Sequence, residues 1–113
     1  MKTLTLSLKK EWFYAIKQGL KEEEYREIKP KYIGMFCKKL EVSEPNKYND
    51  FKVCFHLHWN LYDKLVFTLG YPSKKEKEKW LTFKNPKIRI DKGKTEWGAE
   101  RDKLYFVITW EEK

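Results

Sequence analysis

The chain has 113 residues, which suits one domain that buries about two-thirds of its unfolded surface. Hydrophobic residues make up 41% and aromatics 17%, the latter as seven Phe, seven Tyr and five Trp, too much core-forming material for a disordered tail. The 25 Lys and Arg outnumber the 17 Asp and Glu for a net charge of +8, which favours polyanionic partners, nucleic acid first, although a Lys-rich surface also serves solubility alone.

Thr3 to Leu8 alternates, with Leu4, Leu6 and Leu8 on one face, and predicts a half-buried strand. From Lys10 the period becomes helical, with Trp12, Phe13, Ile16 and Leu20 on one face and Gly19 as the stop. Lys21 to Ile28 is crowded with charge ahead of Pro30 and reads as a charged edge strand. Tyr32, Phe36 and Leu40 recur at four with Ile33 beside them, so a second short helix is expected over Lys31 to Leu40, followed by a polar loop from Glu41 to Asp50. Phe51 to Tyr62 alternates completely and is read as a strand, although its aromatics also fit a helical face. Leu65 to Leu69 predicts a strand buried on both faces, closed by Gly70-Tyr71-Pro72, and Ser73 to Lys79 an exposed connector. Strands follow at Trp80 to Phe83 and Lys87 to Asp91, with Asn85-Pro86 between them, and a last one at Leu104 to Trp110, apolar on both parities. These elements predict an α+β chain: a small β-barrel of about six short strands with two short helices, without linker or repeat, hence one domain over residues 1–113.

Cys37 and Cys54 make neither a CxxC pair nor a disulfide framework, which suits a reducing compartment. No apolar run is long enough to span a bilayer, and Met1 to Trp12 lacks a signal-peptide core, so a cytoplasmic protein with no membrane partner is expected. Cys54, His56 and His58 line one face of the predicted strand without a fourth ligand or a recognised spacing, and neither a metal nor another cofactor is expected. The absence of GxxxxGK[ST], HExxH and GxSxG disfavours P-loop, zincin and α/β-hydrolase chemistry.

The densest chemical signal is Gly19-Leu20-Lys21-Glu22-Glu23-Glu24-Tyr25-Arg26, where a helix-terminating glycine hands the chain to a charged strand. On a regular strand Glu22, Glu24 and Arg26 share a face, and Lys21 sits in the turn or on the other side. Lys21 and Arg26 suit a phosphate, and Glu24 suits orienting a cation, accepting a proton or reading a base amino group. The same charges also suit a solvated edge that deters aggregation.

This G-x-K-x-x-E-x-R pattern resembles the signature of the ASCH domain, a PUA-like β-barrel. The run from Leu6 to Tyr32, the Gly70-Tyr71-Pro72-Ser73 turn and the block from Ile88 to Ile108 resemble small stand-alone ASCH proteins of bacteria and phages. The resemblance implies a PUA-like barrel whose cleft beside Gly19, Lys21, Glu24 and Arg26 recognises RNA or a modified nucleoside. Some ASCH members are hydrolases, among them a bacterial acetylcytidine amidohydrolase that uses the motif lysine, a threonine three residues later and a distant glutamate; others are reported as ribonucleases. Lys21 matches that lysine, but Glu24 stands at the threonine position and removes the hydroxyl nucleophile. If the domain is an enzyme, Lys21 and Glu24 are its catalytic candidates, with Lys21 stabilising negative charge and Glu24 as general base.

In the Glu96 to Glu100 block, Trp97 can stack on a base while Gly98 and Ala99 admit a ligand to the backbone; the indole equally suits a core plug before the last strand. Tyr32 and Tyr71 are further stacking candidates, each also suited to packing. The expected function is a monomeric module that binds RNA or a nucleotide through Lys21, Glu24, Arg26, Tyr71, Trp97 and Glu100, with hydrolysis of an acylated nucleoside or of RNA as the alternative.

Overall fold

The computed structural model describes residues 2–36 and 62–111. The alternation at the start of the chain becomes β1, Thr3–Leu8, which turns Leu4, Leu6 and Leu8 inward. The helix α1, Lys10–Lys17, buries Phe13 and Ile16. It ends where Gly19 takes φ +77°, a left-handed conformation that glycine adopts without strain, and the Leu20 and Lys21 amides reach back to the Ala15 carbonyl at 2.8 and 3.2 Å. Because helical geometry stops before it, Leu20 does not continue the apolar face as its spacing predicts and is 66% exposed.

β2, Glu24–Glu27, is an edge strand, as its charge density predicts. It pairs antiparallel with β5, Leu104–Glu111, setting Glu24 opposite Ile108 and Arg26 opposite Phe106. Between β2 and the centre of the sheet comes α2, Pro30–Phe36, which opens on a proline whose missing N–H no helix start requires and which buries Phe36 completely. β3, Lys64–Leu69, runs parallel to β1 with Leu4 beside Leu65, and it is buried on both faces, as its unbroken apolar run predicts.

The two strands expected at Trp80 to Phe83 and Lys87 to Asp91 are one, β4, Trp80–Lys92. Asn85-Pro86 does not separate them. The register shifts between Lys84 and Lys87, Asn85 takes φ +47°, and Pro86 lies in the slipped stretch, so the pair forms a bulge within a continuous strand.

Among the described residues the strands order as β1-β3-β4-β5-β2, a five-stranded mixed sheet accompanied by two helices. The α+β class is therefore as expected. A closed barrel of six strands is not what the described residues form: β1 and β2 are the two ends of the sheet, with no pairing between them, and the merger at β4 accounts for one strand of the difference. The strand expected at Phe51 to Tyr62, the Glu41 to Asp50 loop, the helix residues beyond Phe36, and Cys54, His56 and His58 lie outside the described residues.

The main core lies where α1 and α2 cover the sheet, built from Leu4, Leu6, Phe13, Phe36, Leu65, Phe67, Phe106 and Ile108. Phe36 meets Phe106 edge-on with centroids 5.1 Å apart, tying α2 to β5. A smaller cluster of Ala99, Tyr105 and Val107, with Tyr25 against it, fastens the loop between β4 and β5. Among the described residues no helix is long and apolar enough to cross a membrane.

Candidate functional site

The left-handed turn at Gly19 delivers Lys21 inward, where it is 2% exposed. Its ammonium donates to Glu24 Oε1 at 2.8 Å and lies 4.4 Å from the centre of the Trp12 ring and 5.8 Å from that of Tyr25, so an ion pair and two aromatic faces replace its water. Glu24, the first residue of β2, is also buried, and its Oε2 accepts from Arg26 Nη2 at 2.8 Å. The same Nη2 donates to the Ser7 carbonyl of β1 at 2.8 Å, and Nη1 donates to Tyr32 Oη on α2 at 3.2 Å. One carboxylate thus joins two cations, and one guanidinium joins both edge strands and a helix. Arg26 Nε, by contrast, is buried without a hydrogen-bond partner among the described residues.

Beside this triad opens a cleft of about 600 Å³, within the range of small-ligand pockets. Lys21, Glu24 and Arg26 line it together with the aromatic side chains of Trp12, Tyr32, Trp97 and Tyr105, and exposed Lys9, Lys29, Glu27 and Glu100 stand at its border. Five of the lining residues are basic and three acidic, a modest positive excess. Lys103 at 3.2 Å and Lys29 at 3.4 Å hold the Glu27 carboxyl below its ordinary value of 4.5.

Trp97 comes from a single helical turn, Thr95–Trp97, and its indole N–H donates to the Leu20 carbonyl at 2.9 Å, so the loop between β4 and β5 is pinned to the motif turn. Gly98, at φ +96°, lies against Trp12: a Cβ there would stand 2.9 Å from the indole carbon Cζ2. The loop's other anchor is Tyr25, which accepts the Lys94 N–H at 2.9 Å and donates to Glu23 Oε1 at 2.8 Å, while Glu23 Oε2 accepts from Arg89 at 2.7 Å.

Burial pushes the Tyr25 phenol well above its ordinary value of 10.0; the Lys94 N–H opposes this and the Glu23 carboxylate reinforces it. Above pH 10.0 the unfolded phenol loses a proton that the folded one keeps, so this group's contribution to stability falls as pH rises past that point. Tyr25→Phe has no proton to lose, and urea unfolding between about pH 9 and 11 is expected to give a shallower alkaline decline than the parent chain. An unchanged decline would show that Tyr25 is not the group responsible.

Of the sequence-predicted residues, Lys21, Glu24, Arg26, Tyr32, Trp97 and Glu100 border this one cleft. Tyr71 does not. It is 96% exposed on an adjoining depression of about 480 Å³ that shares Ser7, Arg26, Tyr32 and Gly70 with the cleft. Trp12 is the lining residue that periodicity hides, because it lies next to core Phe13 and reads as part of the same apolar face. Ser7 was hidden as well, since what it supplies is a backbone carbonyl that no side-chain pattern reports. Among the described residues no group of His, Cys, Asp and Glu gathers to hold a metal ion. Comparison with family models, with curated proteins and with solved structures gives no match to this chain.

Proposed function

We propose that this chain is a PUA-like module of the ASCH type that binds RNA by taking one nucleoside into the cleft beside Lys21. The observation that carries this reading is the Lys21–Glu24–Arg26 triad, buried at Lys21 and Glu24 and half-buried at Arg26, set beside a nucleoside-sized cleft among Trp12, Tyr32 and Trp97. Aromatic faces stack on any base, and the exposed Lys9 and Lys29 offer charge to the phosphates. The link from Arg26 to Ser7, which joins the two edges of the sheet through a side chain, supports reading the curled sheet as the barrel of that fold.

Binding is preferred to hydrolysis because both Glu24 oxygens already accept from cations at 2.8 Å, an arrangement that holds geometry instead of waiting for a substrate proton. In this reading Lys21 and Glu24 set the shape and charge of the cleft floor, and the exposed lysines meet the phosphates.

Fluorescence anisotropy with labelled single-stranded RNA and matched DNA tests the reading. With two phosphate contacts, from Lys9 and Lys29, affinity is expected to fall roughly sevenfold between about 50 and 200 mM salt. Lys29→Ala is expected to lower the salt slope by about one unit, and Trp97→Ala to cost about 1–3 kcal/mol at either salt concentration. Absence of binding to either strand, or full affinity in Trp97→Ala, would overturn it; RNA cleaved or a nucleoside altered during the titration would move the site to the hydrolases.

A further inference from the structure

The depression beside the cleft has a different charge character. Its lining contains Arg26 and Lys31 and no carboxylate, together with Tyr32, Tyr71 and Trp80, whereas the cleft itself mixes cations with three acidic side chains. A depression of about 380 Å³ that shares Lys21 and Trp97 with the cleft sets Glu22 and Glu23 against Lys21 and Lys94, so its lining carries no positive excess. A polyanionic strand leaving the cleft therefore has one electrostatically favourable direction, past Arg26 and Tyr32 toward Tyr71.

Tyr71 is 96% exposed, yet the turn that carries it is braced on both sides. Thr68 Oγ1 donates to the Gly70 carbonyl at 2.7 Å, and Gly70 takes φ +68°. After Pro72, the Trp80 indole N–H donates to the Ser73 carbonyl at 3.0 Å, and the Ser73 N–H donates to Glu76 at 2.9 Å. A large aromatic ring left in water on a braced turn, next to exposed Lys31 and to the Arg26 guanidinium, is pre-organised for stacking.

We infer that the Tyr71 depression is a second nucleotide subsite, so that the ligand is a single-stranded oligoribonucleotide of two or more residues and not a free nucleoside. Arg26 and Lys31 face the phosphate that joins the two nucleotides, and Tyr71 stacks on the outer base. The inference rests on the proposed cleft function and adds the ligand's exit direction and minimum length.

The test is a titration, followed by NMR chemical shifts, of each common ribonucleoside and its matching homodinucleoside monophosphate, with the parent chain, Tyr71→Ala and Tyr71→Phe. Because Tyr71 contributes so little to the core, these variants are expected to fold like the parent. The dinucleotide is expected to bind roughly tenfold tighter than its nucleoside, the gain being lost in Tyr71→Ala and kept in Tyr71→Phe, with nucleoside affinity unchanged throughout. Equal affinities for nucleoside and dinucleotide, or a gain that survives Tyr71→Ala, would overturn the second subsite and leave the cleft reading standing. If no nucleoside or dinucleotide binds, the cleft reading falls and this inference falls with it.

Discussion

Glu24→Gln is expected to destabilise the chain by about 3–5 kcal/mol, because it removes the one carboxylate between two cations in a nearly dry site. The Lys21 side chain is 1% exposed and that of Glu24 7%, so water cannot take the place of the lost charge. A neutral amide also presents one donor where an acceptor stood, so the contact to either Lys21 Nζ or Arg26 Nη2 becomes donor against donor. Urea unfolding measures the cost, and a double-mutant cycle with Lys21→Met identifies its source. The double variant is expected to recover part of the stability lost by Glu24→Gln, since an unpaired buried ammonium costs more than an apolar side chain of similar volume. A loss below about 1 kcal/mol for Glu24→Gln would mean that the pair is solvated and that Glu24 is as free as an exposed carboxylate.

Arg26→Met is expected to cost about 2–3 kcal/mol, less than Glu24→Gln because the Arg26 side chain is 16% exposed and Glu24 keeps Lys21. Its structural effect is wider. The guanidinium spans the Glu24 carboxylate, the Ser7 carbonyl and the Tyr32 hydroxyl, so removing it unlinks β2 from β1 and α2 together. Amide exchange is expected to quicken in β2, which has β5 as its only paired neighbour among the described strands, while the central β3 and β4 stay protected. Arg26→Lys should rescue little, since a single ammonium cannot reach three acceptors in different directions. Rescue by lysine would show that charge alone matters at this position. Both Arg26 variants are expected to weaken RNA binding too, because the side chain borders the cleft and the neighbouring depression.

Much of the scaffold is legible in local pattern, because alternation and helical spacing report which face of an element is apolar without reference to anything distant. β1 follows from alternation, β5 from a run apolar on both parities, α1 from its Phe13 and Ile16 spacing, and the end of α1 from Gly19. Asn85-Pro86 misleads because the residues that break a strand are also those that form a bulge, and only the partner strand distinguishes the two. Leu20 misleads because a helical spacing holds only as long as the helix does.

For the site, residue types and their local order are legible in the chain: a glycine turn, then a lysine, a glutamate and an arginine entering a charged edge strand, with a tryptophan loop before the last strand. Their partners come from packing at long range. Glu24 is shared between Lys21 and Arg26, Arg26 reaches Ser7 across 19 residues, and the Trp97 indole returns across 77 residues to the Leu20 carbonyl. The same packing leaves Tyr71 in water beside the cleft while Trp12 turns into it. The reason is physical: periodicity encodes the direction of a side chain relative to its own strand or helix, whereas the satisfaction of a buried charge depends on which distant backbone and side-chain groups the packed sheet brings within about 3 Å.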